Sequence, residues 1–586
     1  MPRNLSLART CLAGGAILFS VGAAAAEPAK AEPAKAEMAK AEMAKAAMAD
    51  GDGNGGGADV LTYGLGLAQQ RHSPLTQVNR DNVKDLVPVW NLSLDNSANM
   101  STQPLVKDGV MYVVTHNATA AIDAVTGRQK WKTMVDLPED AGSMICCGIQ
   151  ARGLALRDGV IYRPTLDAHL MAMSATDGKV LWRSKVADYK QGYSMTGAPL
   201  LVGDVLMTGI SGGEFNTRGF IRGYDPKTGK ELWTRYTTAS PGEPGFETWN
   251  GSDNWKTGGA TTWVPGTYDP ELDLVYWGTG NGAPWNPQTR ANGGDALYIC
   301  SVLAIRPKSG EIVWHYQFSP GDPYDYDSVN EMVLADLTVD GKPVKAVVNA
   351  NRNGFFYVLD RTNGKLISAT QYAKKLNWAT GIDMKTGRPI DTDMTRRFKA
   401  QEEMGAEEEI WPSVFGAKNW QPISFDPKRQ LAYVNGMNFG FKMKNIRQEP
   451  RLPAQFWGVE ITGWAEPEDG NRGFIAAIDP MTGKHVWDVP LKIPHWSGVL
   501  STAGDLIFTG NLLGEALAFD ANDGKLLWKF KTGSGISGMP ITWEREGKQY
   551  VTMTSGAATV YGAVGADPSL PSVPVGGSVW TFALHQ

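Results

Sequence analysis

The chain has 586 residues, with 56 Lys and Arg against 61 Asp and Glu and a formal charge of -5 at neutral pH. That balance argues against a nucleic-acid partner, which calls for a basic patch. The chain is rich in glycine and tryptophan, 67 and 20, and although its length alone allows several domains, all-β folds commonly exceed the usual domain length as one body.

Residues 1–26 carry Arg3 and Arg9, then an uncharged run from Cys11 to Val21, then small residues ending in "GAAAAEP". This is the pattern of a secretory signal peptide cut after Ala26, and it predicts a periplasmic protein. The apolar run is shorter than the roughly 20 residues that span a bilayer, and nothing later in the chain resembles a span. Residues 27–57, "EPAKAEPAKAEMAKAEMAKAAMADGDGNGGG", offer almost nothing to bury and read as a tether. Residues 58–586 form the folded part.

A repeat sets the architecture. In chain order it reads "AAIDAVTGRQKW" ending at Trp131, "MAMSATDGKVLW" at Trp182, "RGYDPKTGKELW" at Trp233, "LAIRPKSGEIVW" at Trp314, "YVLDRTNGKLIS" at Ser368, "AAIDPMTGKHVW" at Trp487 and "LAFDANDGKLLW" at Trp528. Each copy is a short apolar strand, a D-x-x-T-G-K type turn in which glycine supplies positive φ, and a second strand ending in an aromatic. The intervals Trp131 to Trp182 and Trp182 to Trp233 are equal, and the longer gap between Ser368 and Trp487 leaves room for a degenerate blade around "ISFDPKRQLAYVNG", 423–436. The expected fold is all-β, an eight-bladed β-propeller closed on itself. Its repeated tryptophans are expected to pack between blades and to belong to no site.

Two of the four cysteines are adjacent, Cys146 and Cys147 in "GSMICCGIQARG". In an oxidising compartment such neighbours can close a disulfide ring; two buried reduced thiols or a redox pair are the other readings. Cys300, in the apolar run "LYICSVLAI", reads as a buried strand residue.

From "RHSPLTQVN" (71–79) onward the chain resembles the tryptophan-docking propellers of the pyrroloquinoline quinone (PQQ) dependent alcohol dehydrogenases. The resemblance implies that Cys146 and Cys147 form a vicinal disulfide against one face of PQQ, with Trp263 of "GGATTWVPGTYDP" against the other. It places Arg152 on a cofactor carboxylate and adds Thr196, Thr261, Asn419 and Trp496 as cofactor contacts, together with Ser211, Gly212 and Gly213 of "SGGEFNTRG". Two features depart from the pattern. The "GIQA" after the cysteines differs from the "DVVN" of methanol-oxidising members, so their substrate is not carried over, and Ser101 stands where many relatives have a glutamate that bonds PQQ.

The same resemblance makes Glu214, Asn281 and Asp325 metal ligands, Asp325 the general base, and Arg352 the group that hydrogen-bonds the quinone oxygens and stabilises developing charge. Asp327 follows in "SPGDPYDYDSVNEMV" where calcium-dependent methanol dehydrogenases have a small neutral residue. Three carboxylates suit a trivalent ion, so the lanthanide-dependent branch is implied. A calcium enzyme in which Asp327 only lines the entrance is the alternative, and a propeller that binds proteins without catalysis is a third reading. The implied reaction is oxidation of a primary alcohol to an aldehyde, with the metal as Lewis acid and PQQ as two-electron acceptor. No C-x-x-C-H haem motif occurs in the chain, so electrons are expected to pass to a separate soluble cytochrome c. Relatives are commonly homodimers.

Overall fold

The computed structural model describes residues 57–95, 99–557 and 570–585; the leader and all of the tether but its last residue lie outside them. Eight sheets form the blades, each with four antiparallel strands, and His72–Ser73 adds a short fifth, parallel strand to the seventh. Blade one consists of Leu105–Lys107, Val110–Val114, Ala118–Asp123 and Gln129–Met134. Blades two to seven span 155–185, 200–236, 267–317, 333–371, 424–491 and 500–531. Blade eight takes three strands between 541 and 584 and its outermost strand, Leu86–Ser93, from the start of the folded chain. That pairing of Leu86 with Leu584 through Ser93 with Ser578 closes the ring.

The repeat folds this way because its turn satisfies itself. In blade one, Thr126 N donates to Asp123 Oδ1 (2.9 Å) and Gly127 N to Asp123 O (2.8 Å), while Gly127 takes φ 74°, which is inexpensive only for glycine. The same glycine leaves room for the preceding blade's tryptophan: a Cβ at Gly178 would stand 2.5 Å from the Trp131 ring. Trp131 Nε1 then donates to Ala175 O (3.1 Å), Trp182 to Pro226 O (3.0 Å), Trp233 to Pro307 O (3.0 Å) and Trp487 to Ala521 O (3.1 Å). The repeated tryptophans therefore join one blade to the next, as expected. Trp90, outside the recognised repeat, does the same from blade eight to Ala124 O (2.8 Å).

The eighth blade is not where the sequence placed it. Residues 423–436 supply inner strands Ser424–Asp426 and Leu431–Met437 of the blade completed by Gly473–Ile478 and His485–Leu491. The Ser368 to Trp487 gap holds insertions instead: the hairpin Ala379–Asp383 and Arg388–Asp391, helix Asp393–Ala400, and a sheet of Glu407–Ile410, Gly440–Asn445 and Val459–Ala465. Blade eight lacks the D-x-x-T-G-K turn because its last strand comes from the other end of the chain. Cys300 is buried, as expected, but precedes strand Ser301–Ile305 in a turn with φ 46°.

Candidate active site

Strand direction decides which loops can meet. In a four-stranded antiparallel blade, the loop between the second and third strands and the connector to the next blade leave from one end, and the two remaining turns from the other. The D-x-x-T-G-K turns lie at that second end. The connectors place Cys146, Cys147, Arg152, Thr196, Trp263, Asp325, Asp327, Asn419 and Trp496 at the first, and the loops between second and third strands add Ser211, Glu214, Asn281 and Arg352. Both insertions also leave from this end and roof it.

Between them is a cavity of about 660 Å³ lined by Cys146, Cys147, Arg152, Thr196, Ser211, Gly212, Glu214, Trp263, Asp325, Asp327, Arg352, Asn419 and Trp496, among others, a size that suits a small-molecule ligand. Gly213, Thr261 and Asn281 stand behind the wall: a Cβ on Gly213 would be 3.3 Å from Thr261 Oγ1 and 3.4 Å from Asn281 Oδ1.

Cys146 and Cys147 are joined as a vicinal disulfide. Arg152 donates to Thr196 Oγ1 (2.5 Å), and its guanidinium lies 4.7 Å from the Trp263 ring and 4.6 Å from that of Trp420. Burial lowers its pKa to about 10, which leaves it a cation at neutral pH with Nε free of any partner. Asn419 is held from behind, where its carbonyl accepts from Asn330 Nδ2 (2.8 Å) and from Lys418 Nζ (3.1 Å), itself buried against Glu331 (3.2 Å).

The acidic side of the cavity centres on Arg352. Its fork donates to Asp325 Oδ2 (2.8 Å) and Asp327 Oδ2 (2.5 Å), and its Nε to Val414 O (3.0 Å). Asp327 Oδ1 accepts from Asn281 N (2.6 Å). Burial pushes Asp325 well above the usual carboxylate range and raises Asp327, with Arg352 opposing both shifts. Burial, then Asp327, raises Glu214 to about 7. Two buried acceptors, Asn281 Oδ1 and Asp325 Oδ1, have no hydrogen-bond partner. All the donors are oxygen, the set a hard cation takes, so the residues fit a metal ion, although among the described residues the carboxylates do not by themselves converge on one point.

Sequence reasoning missed the mouth. Trp285 stacks on Trp457 (5.2 Å between centroids, 19°) and Phe415 on Trp464 (5.7 Å, 18°), and these four rings, with Trp420, Gln455 and Ile461, also line the cavity. One signal was available: these tryptophans stand outside the repeat register. Ser101 is buried and donates to Ser537 Oγ (3.1 Å), away from the cavity wall.

A family model described as glucose, ethanol and alcohol dehydrogenase β-propeller domain, with PQQ, matches residues 61–374 and 391–551. The chain belongs to the PQQ-dependent alcohol dehydrogenases. It is 43% identical over 551 residues to the quinoprotein alcohol dehydrogenase PedH of Pseudomonas putida, covering 90% of this chain and 91% of that one. It is 37% identical to the lanthanide-dependent methanol dehydrogenase of Methylacidiphilum fumariolicum, covering 87% and 86%. Among solved structures, a europium-containing methanol dehydrogenase superposes with a TM-score of 0.84 at 35% identity, over 90% of this chain and 98% of that one. This dehydrogenase is therefore an enzyme, and the reading as a silent scaffold falls. Among its described residues no helix is long and apolar enough to cross a membrane.

Proposed function

We propose that this dehydrogenase oxidises primary alcohols to aldehydes in the periplasm with PQQ and a lanthanide ion. The observation that carries the metal reading is Asp327, a buried carboxylate that joins buried Asp325 and half-buried Glu214 in the lining of one cavity. Glu214, Asn281, Asp325 and Asp327 would hold the ion, and the Cys146–Cys147 wall and Trp263 would hold PQQ, with Arg152, Thr196, Ser211, Gly212, Gly213, Thr261, Asn419 and Trp496 around it. When bound, the quinone supplies the two-electron acceptor and the metal a Lewis acid.

The chain's own residues then have separable tasks. Asp325 Oδ1, free of hydrogen bonds, takes the hydroxyl proton of the alcohol as general base. Arg352 orients Asp325 and offers positive charge where negative charge develops. Arg152 holds a cofactor carboxylate in a desolvated site, where such a pairing is strong, and the aromatic mouth excludes water. The chain has no C-x-x-C-H motif, so its electrons go to a separate cytochrome c.

One observation favours a second reading. Both Asp327 oxygens are already used, by Asn281 N and by Arg352, which suits a calcium enzyme in which Asp327 serves Arg352. Dye-linked oxidation by the apo-protein plus PQQ, with lanthanum or calcium added separately, decides. Lanthanum-only activity supports the lanthanide reading; calcium-only activity replaces it with the second; inactivity with both, on an alcohol panel, refutes both.

A further inference from the structure

Arg290 lies outside the cavity wall, is fully buried, and sits on the five-residue helix Pro287–Ala291. A buried guanidinium without partners would be very costly, and this one is spent on main-chain carbonyls. Nη1 donates to Pro284 O (2.8 Å), Trp285 O (2.5 Å) and Asp322 O (3.2 Å), and Nη2 also to Asp322 O (3.2 Å). These carbonyls belong to two segments that meet at the acidic side of the site. One runs from Asn281 to Trp285, the other from Asp322 to Asp327.

The neighbourhood is shaped for this contact. Gly282, next to Asn281, has the guanidinium lying against it: a Cβ there would stand 2.5 Å from Arg290 Nε. On the other segment the Asp322 carboxylate accepts from Tyr324 N (3.3 Å) and Tyr326 N (2.9 Å). It thereby folds the backbone into the turn that carries Asp325 at φ 62°. The two ligand-bearing segments are joined directly by the bond from Asn281 N to Asp327 Oδ1 (2.6 Å) and, immediately beside them, by Ser328 N to Thr279 O (3.0 Å), and Arg290 adds a further tie through Pro284, Trp285 and Asp322.

We propose that Arg290 is a positioning residue that fixes the Asn281 segment against the Asp325–Asp327 segment and so sets the metal-binding geometry. The inference rests on the proposed metal site. It requires that loss of Arg290 weaken the metal without touching it, and that the two segments loosen together even in metal-free protein.

The test uses the full chain, with terbium(III) alone as probe, read by sensitised luminescence, and amide hydrogen exchange measured on the metal-free protein. Arg290→Met is expected to weaken terbium binding by about tenfold or more, as losses behind a metal's ligands do, with Arg290→Lys recovering part of it. Exchange is expected to accelerate in 281–286 and 322–327 together. Gly282→Ala, which crowds the guanidinium without removing it, is expected to act in the same direction and covers the case in which Arg290→Met does not fold. Affinity within about twofold of wild type, or acceleration confined to one segment, overturns the proposal. If wild-type protein held no terbium the metal reading would fall, and the exchange pattern would still decide whether Arg290 ties the segments.

Discussion

Two sets of tryptophans in this molecule do opposite work. Those of the ring, such as Trp131 and Trp182, pack over a glycine of the next blade and give their indole N–H to its turn. Those of the mouth, Trp285 and Trp457, stack on each other over the cavity with their indole N–H groups buried and unpartnered. Trp314 is intermediate, packed over Gly364 like the first set but with its N–H unpaired. The difference teaches that one residue type can be spent on holding a fold together or on presenting an apolar wall, and that packing over the glycine of the next blade, which Trp314 shares with Trp131 and Trp182, marks the first use.

The comparison is sharpened by variants that separate stability from turnover. The largest effect is expected at the acidic side: Asp325→Asn keeps the fold but lowers kcat on the order of 10³-fold, the usual worth of a positioned base, as steady-state kinetics on folded protein would show. Next comes the ring, where Trp182→Ala should cost about 3 kcal/mol of stability, the low end for a large-to-small change, in denaturant unfolding, while kcat per folded molecule stays near wild type. A mouth variant reverses that pattern. Trp457→Ala should change kcat/KM for alcohols by roughly tenfold, the scale of apolar pocket contacts, with a smaller loss of stability than Trp182→Ala. A Trp457 variant that lost stability but no kcat/KM would erase the distinction.

The ring was legible because its turns obey local chemistry. Asp123, Thr126 and Gly127 satisfy one another within a few residues, so the motif recurs between the third and fourth strands of seven of the eight blades and can be counted. What the count missed is non-local: blade eight is completed by Leu86–Ser93, nearly five hundred residues from its partner strand, and no local signal marks such a pairing. The individual cavity residues were legible through resemblance, and the structure brings most of them around one cavity. The mouth and Arg290 were not, since insertions without a repeat carry no register and a buried arginine looks like a surface one in sequence.

The smallest expected effect concerns charge at the acidic side. Glu214 has an ordinary value of 4.5, raised to about 7 by burial and by Asp327. Below pH 4.5 both folded and unfolded chains hold the proton and the group contributes nothing. Between 4.5 and 7 the unfolded chain releases it while the folded chain keeps it, so metal-free protein loses stability as pH rises through that window and the loss levels off above it. Asp325 and Asp327 are raised too and act with the same sign. Glu214→Gln should therefore flatten, without abolishing, the fall in Tm between pH 5 and 7.5 in metal-free protein, whereas variants of the ring tryptophans should lower Tm about equally at both. An unchanged slope in Glu214→Gln would place this carboxylate in water rather than at the wall of a desolvated site, and would remove one of the three charges that the metal reading needs.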